Sequence, residues 1–312
     1  MLLQKGVFIV CFVIFAHRMK EGWDYTIKSK RTAWNFEFKA LWKYRYLILL
    51  FFKRDFVANY KQTVLGPLWF VIQPILTTVI FTFVFGNLAG LAPEGVPDAL
   101  FFMSGIVVWN YFADVFVKTS NIFRQNANIF GKVYFPRMAV PISVMLASML
   151  KFLVQFLLLL VVFCYYWLNG EVDPNLDFIA LTPISVIVLG ILAMGLGNIT
   201  SALTAKYRDF THLVSFGIQL LMYTTTVIYP LSKIIEWANA SEAVGDFSFQ
   251  KVIVLANPVT SIIESFRVGF CNHGLDIFNW NYYWYSIASA LVIFLVSVVI
   301  FNKTEQNFID TV

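Results

Sequence analysis

The stretch "RDFVANYKQTVLGPLWFVIQPI", Arg54 to Ile75, changes character halfway along. Its first half is charged and amphipathic. Its second half is apolar, yet it carries Gly66, Pro67 and Pro74. The chain of 312 residues is 59% hydrophobic and 13% charged, with mean hydropathy +0.71. Globular domains run at about 25% charged. So much apolar surface cannot be hidden in a water-facing fold of this length, and the chain reads as an all-α integral membrane protein.

A membrane span needs roughly 20 apolar residues at about 1.5 Å rise each. Six windows qualify: 67–88, 100–120, 141–168, 179–203, 211–231 and 281–301. The connections alternate in charge. Residues 89–99 and 169–178 hold Glu94, Asp98, Glu171, Asp173 and Asp177 but neither Lys nor Arg. The opposite side holds Arg124, Lys132, Arg137, Lys206, Arg208 and Lys303, and twelve further basic residues precede the first span. An excess of Lys and Arg marks the cytoplasmic side, which puts both termini inside. The net charge of +5 needs no nucleic acid, because those residues lie where anionic headgroups and a cytoplasmic partner would be.

Gly66-Pro67 then marks a helix start at the inner surface, since proline is tolerated in the first turn. Pro74 lies about two turns deeper. It removes a backbone hydrogen bond and is expected to kink the helix, either for packing or to bend it along a pathway. In lipid the freed carbonyl needs another donor.

Four segments divide the chain: an apolar extension (1–18), a cytoplasmic N-terminal segment (19–62), the membrane domain (63–305) and a cytoplasmic tail (306–312). Within the first, "GVFIVCFVIFA" (6–16) gives about 16 Å of helix, too short to span. A start at Met19, a surface-lying anchor and a signal peptide all remain open for it. Residues 36–62 read as an amphipathic interface helix, with "YLILLFF" (46–52) between basic flanks. Residues 232–280 are long for a loop, and "KVIVLANPVTSIIESFRVGF" (251–270) is too apolar to float in water. Two short helices dipping back into the outer leaflet are expected there.

No G-x-x-x-x-G-K-[ST] motif occurs, so the chain cannot bind ATP through a P-loop. His17, His212 and His273 are scattered, and Cys11, Cys164 and Cys271 have no metal or redox spacing. Asp114 and Lys118 stand at i,i+4 near the inner end of the second span, as an ion pair or a proton relay. Lys151 lies deeper in the third and either snorkels to the cytoplasm or lines a path for an anion. The scarcity of buried carboxylates disfavours a proton- or sodium-driven carrier.

Four stretches carry a resemblance: "RDF…YKQTVLGPLWFVIQP", "GKVYFPRMAVP" (131–141), "KYRDFTHL" (206–213) and "NPVTSIIESFRVGF" (257–270). In order and placement they resemble the membrane domain of type-2 ABC transporter permeases. The branch they match best exports O-antigen, capsule and teichoic-acid polysaccharides. The resemblance covers roughly residues 30–310 and implies a homodimer docked on two copies of a separate ATPase subunit in a bacterial inner membrane. It implies a polysaccharide on a lipid carrier as substrate, with ATP and Mg²⁺ bound by the partner and no cofactor on this chain. The interface segment, with Arg54 and Asp55, and a coupling helix in 121–138, with Phe130, Gly131, Tyr134, Phe135, Pro136 and Arg137, would meet the ATPase. Gly131 can stop that helix. The loop's large apolar groups would be an exposed patch unless headgroups or a partner covered them. Asn257, Pro258, Glu264 and Arg267 would belong to outer gate helices.

The 18% aromatic content suits such a cargo, because sugar C–H faces stack on aromatic rings. Trp109, Phe112 and Phe116 share one face of the second span, and Trp69 and Gln73 share one of the first. Together with Lys151 they are the candidates for the substrate path. A drug permease of the same fold and a multi-pass membrane glycosyltransferase are the competing readings. The latter requires a cluster of catalytic carboxylates or histidines, which the sequence does not display.

Overall fold

The computed structural model describes residues 38–58, 64–133, 135–243 and 249–311. The 1–18 extension and Tyr134 lie outside them. Among the described residues the structure is helical, without a strand. Helices α1 (Phe38–Lys43) and α2 (Arg45–Ala58) come first. The first span, α3, runs Gly66–Leu88. It opens with a 3₁₀ turn at Gly66–Leu68, continues as α-helix over Trp69–Phe81 and ends as π-helix over Thr82–Leu88. Gly66 has φ +50°, a conformation that glycine adopts without steric cost. The chain therefore turns sharply at Gly66 and enters the helix on Pro67, as the sequence leads one to expect.

Next come α4 (Asp98–Ser120), the short turns α5 (Ile122–Gln125) and α6 (Ala127–Phe130), α7 (Ala139–Leu168) and α8 (Leu176–Lys206). After them come α9 (Phe210–Tyr223), α10 (Leu231–Ala243), α11 (Phe249–Ala256), α12 (Pro258–Cys271) and α13 (Trp280–Thr311). The last helix runs unbroken through the boundary expected near residue 306. Helix α4 is the centre of the bundle. It packs on α3, α7, α8 and α12, while α8 also packs on α12 and α13. Its Phe101, Phe102, Ile106, Phe112 and Val115 are all buried. Apolar groups of that size on every side suit a helix enclosed by other helices.

Five helices among the described residues are long and apolar enough to cross a membrane: α3, α4, α7, α8 and α13. The remaining expected span, 211–231, fifth in chain order, is different. Helix α9 has 14 residues, about 21 Å at the usual rise. It stops at Tyr223 because the next residues favour another arrangement. Thr224 and Thr225 turn their hydroxyls back onto the carbonyls of Leu221 and Met222, at 2.9 and 2.7 Å. Pro230 disfavours helix at Tyr229. The region beyond also differs from expectation: it contains three helices, α10 to α12, where two short ones were anticipated. The apolar run 251–270 is divided at Asn257, whose side chain accepts from Val259 N at 3.0 Å, with Pro258 in the first turn. This is a capped start with proline at its preferred place. Every residue of α12 from Val259 to Cys271 is buried, so α12 is a core helix of the bundle.

Candidate functional site

Three regions hold the residues singled out by the sequence: a cluster at the end of the bundle with the basic loops, called inner here after the topology expected from charge, a polar seam between spans, and a buried ion pair at the opposite end, called outer.

At the inner end, α2 lays Phe51 against Phe135, with ring centroids 5.5 Å apart. The Phe130 ring lies tilted at 5.9 Å from Phe135 and edge-on at 5.7 Å from Phe123, which meets Phe301 of α13 at 4.8 Å. Phe130 is 2% exposed and Phe135 3%. Phe123, Phe130 and Phe135 of the loop therefore have a third cover that was not anticipated, the chain's own α2 and α13. Arg137 is buried among them. It donates to the carbonyls of Phe130 and Glu305, both at 3.1 Å, lies over the Phe130 ring, and pairs with the Glu305 carboxylate at 3.7 Å. Arg54 pairs with Asp55 at 2.8 Å and donates to Asn126 Oδ1 at 3.1 Å, tying α2 to the junction of α5 and α6. Gly131 closes α6 at φ −82°, so it does not use glycine's left-handed freedom. Pro136 is buried beside Phe135 and Arg137 in the sequence. What the loop leaves exposed is Arg124, Gln125, Asn128, Gly131, Lys132 and Val133, a basic surface without an acid. The outer side of α2 exposes Tyr46, Leu49, Leu50 and Val57, so this helix is apolar on both faces, one on protein and one outward.

The seam joins α4, α7 and α3. Asp114 accepts from Lys118 Nζ at 2.7 Å and from Ser148 Oγ at 2.6 Å through Oδ2, and from Lys151 Nζ at 3.2 Å through Oδ1. The expected Asp114–Lys118 pair is thus present, but Lys151 turns to the same carboxylate and lies 5.5 Å from the Phe70 ring centroid. About a turn away, Asn110 Nδ2 donates to Gln155 Oε1 at 3.4 Å, and Gln155 Nε2 donates to the carbonyl of Phe70 at 3.3 Å. That carbonyl is the one Pro74, four residues on, leaves without its helical donor. The proline that breaks the pattern of the opening stretch is therefore accommodated by a glutamine on another span.

The remaining path candidates separate into two groups. Trp69 and Gln73 are exposed on α3. Trp109 and Phe112 are buried, with rings 5.4 Å apart, and Phe116 stacks on Phe112 at 6.2 Å. The three rings lie in contact along α4, and within one chain Trp109 and Phe112 are packed in the core.

At the outer end Arg267 is fully buried. Its Nη1 donates to Glu264 at 2.9 Å and to the Tyr229 carbonyl at 3.4 Å, and its Nη2 to the Val227 carbonyl at 3.0 Å. Its guanidinium lies 3.7 Å from the Phe101 ring centroid. Two carbonyls of the unwound stretch after α9, those of Val227 and Tyr229, are thus satisfied by protein, as nonhelical backbone within a membrane bundle requires. Gly105 permits the approach, since a Cβ there would meet Arg267 Nη2 at 3.2 Å and Val227 backbone at 3.3 Å. Just past α12, burial holds the His273 imidazole below its ordinary pKa, with Glu264 pulling it up and Arg267 pushing it down.

Sequence reasoning missed Asn110, Ser148, Gln155, Asn126 and Glu305. A signal existed for the first three, which are polar residues inside apolar windows, where they are costly and need partners. Glu305 offered none, because its partner Arg137 is 168 residues away.

The ABC-2 type transporter family matches residues 46–271. Over 265 residues the chain is 29% identical to the O-antigen export system permease protein RfbA of Klebsiella pneumoniae, covering 85% of this chain and 94% of that protein. It is 26% identical over 240 residues to the protein of the same name from Myxococcus xanthus, covering 76% and 85%. Similarity to the polysialic acid transport protein KpsM of Escherichia coli is 18% over 267 residues, covering 83% and 94%.

Proposed function

The chain belongs to the ABC-2 type transporter family, and from that premise we propose that it is the permease half of an ATP-driven exporter of lipid-linked polysaccharide, O-antigen in kind, in a bacterial inner membrane. The observation that carries this reading is similarity, over most of the chain, to permeases named for O-antigen export. Two physical features support it. The chain is a multi-pass bundle with apolar spans, and its sequence lacks a P-loop, so the energy has to come from another subunit.

Two copies would pair, with two ATPase subunits beneath them. Helix α3 is the span least enclosed by its own chain, with only 11% of its most apolar window buried. It offers Trp69 and Gln73 outward, an aromatic and an amide suited to a sliding sugar chain. Six crossings with both termini inside follow if α9 and the unwound 224–230 segment together complete the fifth, which keeps the charge alternation. The ATPase would grip the exposed basic side of α5 and α6, at Arg124, Lys132 and Val133, and Phe130 and Arg137 would hold that surface in shape from within.

Purification through a tag on this chain tests the proposal. An ATPase subunit should accompany it, hydrolysis should appear only in the complex, and loss of the chain should leave the lipid-linked glycan inside the cell. ATP hydrolysis by the rigorously purified chain alone would refute the reading.

A further inference from the structure

The polar seam has a charge count that its own residues do not balance. Lys118 and Lys151 bring two ammonium groups to one carboxylate, Asp114. Both Asp114 oxygens are already engaged, and Oδ2 also takes the Ser148 hydroxyl. The sequence of α3, residues 66–88, contains no Asp or Glu, and neither does that of α7, residues 139–168. The other acid on α4 is Asp98 at its opposite end, about 24 Å away along the helix. One positive charge is left over at the meeting of three helices.

The ammonium groups also retain donors. Each Lys carries three N–H groups, and Asp114 takes one from each. Neither side chain is sealed: Lys118 is 33% exposed and Lys151 19%. Lys118 stands two residues before the end of α4 that leads into the basic loop. By helical rise it is about 3 Å from that end, and Asp114 about 9 Å. That is the level of a bilayer's headgroup boundary, where the abundant anion is a lipid phosphate.

We propose that Lys118 and Lys151, both paired with Asp114, form a seat for the phosphate of a membrane lipid. Asp114 would gather both ammonium groups on one side and compete for them with the incoming anion, while each ammonium keeps N–H donors that Asp114 does not take. A phosphate oxyanion suits two point-charge donors without demanding the planar fork of an arginine. Two lipids supply that chemistry, an ordinary anionic phospholipid and a polyprenyl diphosphate of the kind that carries a glycan. The seat does not rest on the export reading, because binding alone is measured.

The test is lipid retention by the purified full-length chain in neutral detergent, read by native mass spectrometry. The probes are phosphatidylglycerol, a polyprenyl diphosphate and diacylglycerol. Wild type should retain at least one phosphate lipid and release diacylglycerol. K118Q with K151Q should lower that retention about tenfold or more, the scale of losing charge-assisted hydrogen bonds. K118R with K151R should hold it within about twofold, the charge being kept. Loss confined to phosphatidylglycerol identifies a headgroup seat, and loss confined to the diphosphate identifies a carrier seat. If the glutamine pair does not fold, Asp114→Asn decides. Removing the competing carboxylate should raise phosphate-lipid retention, whereas a purely structural ion pair gives no gain. Unchanged retention in the folded glutamine pair, no gain in Asp114→Asn, or diacylglycerol held as firmly as the phosphate lipids would each overturn the proposal.

Discussion

The two ends of the bundle are fastened by the same device built from different parts. At the outer end Arg267 satisfies the carbonyls of Val227 and Tyr229, pairs with Glu264 and lies over Phe101. At the inner end Arg137 satisfies the carbonyls of Phe130 and Glu305, pairs with the Glu305 carboxylate and lies over Phe130. Each is a buried arginine that donates to two backbone carbonyls and combines a glutamate with a phenylalanine ring. They differ in reach and in burial. The outer pair sits on one helix at i,i+3 with 0% and 6% side-chain exposure, and the inner pair joins two remote helices with 6% and 17%. Burial raises the cost of breaking a pair, so the outer end is the more rigid. The inner end is the looser fastening.

The largest expected effect is therefore at Arg267. Arg267→Ala leaves Glu264 charged and buried and two carbonyls unpaired, at a cost of about 3–5 kcal/mol. Its melting temperature in detergent should fall far below that of wild type, or the protein should fail to accumulate. Arg267→Lys keeps the charge but cannot reach two carbonyls and the carboxylate at once, so it should recover only part of the loss. The corresponding change at the inner end, Arg137→Ala, should cost less, about 1–3 kcal/mol, because its partner is nearer to water. A melting curve for Arg137→Ala as depressed as that for Arg267→Ala would erase the distinction between the ends.

The same contrast shows what a sequence displays. Glu264 and Arg267 stand three residues apart in an apolar run, a spacing that makes neighbours on a helix. The helix start at Gly66-Pro67 and the Asp114–Lys118 pair were legible for the same reason, since each is a local rule. The stop at Tyr223 was not, because hydropathy continues through 224–231 while the threonine hydroxyls and Pro230 break the helix. Nor was the burial of Phe130 and Phe135, which depends on Phe51 and Phe301, 79 and 171 residues from Phe130 along the chain. Of the candidate site, the residue types and the faces they share were readable; which face turns inward was fixed by distant packing.

That burial redirects the test of the inner end. Phe130→Asp would place a carboxylate in an aromatic cluster and should simply unfold it, saying nothing of docking. The exposed side is the informative one. Arg124→Glu with Lys132→Glu reverses two charges on a surface without acids and touches little of the cluster beneath. ATPase association, followed by co-purification, should fall about tenfold while the melting temperature of the isolated chain stays within about a degree or two, as for surface changes generally. Undiminished association would mean that the exposed basic face is not where a partner binds.

The smallest effect is expected where the sequence first raised its question. Pro74 costs α3 the hydrogen bond to the Phe70 carbonyl, and Gln155 supplies a substitute at 3.3 Å while holding Asn110 with its own oxygen. Gln155→Leu keeps the bulk and removes both bonds. Interhelical hydrogen bonds in membrane bundles average about 0.6 kcal/mol, with a ceiling near about 1.7, so the change should cost about 1 kcal/mol. A cost of that size would be ambiguous alone, because any buried substitution produces it. The proline resolves it. In a Pro74→Ala background the helix regains its own donor for Phe70, and Gln155 loses that part of its role. Gln155→Leu should then cost less than in the wild-type background, the remainder being the bond to Asn110. A double-mutant cycle on melting or denaturant curves measures the difference. Equal costs in both backgrounds would mean that the glutamine and the proline are independent, and that the span with Pro74 is held by packing instead of by the carbonyl it exposes.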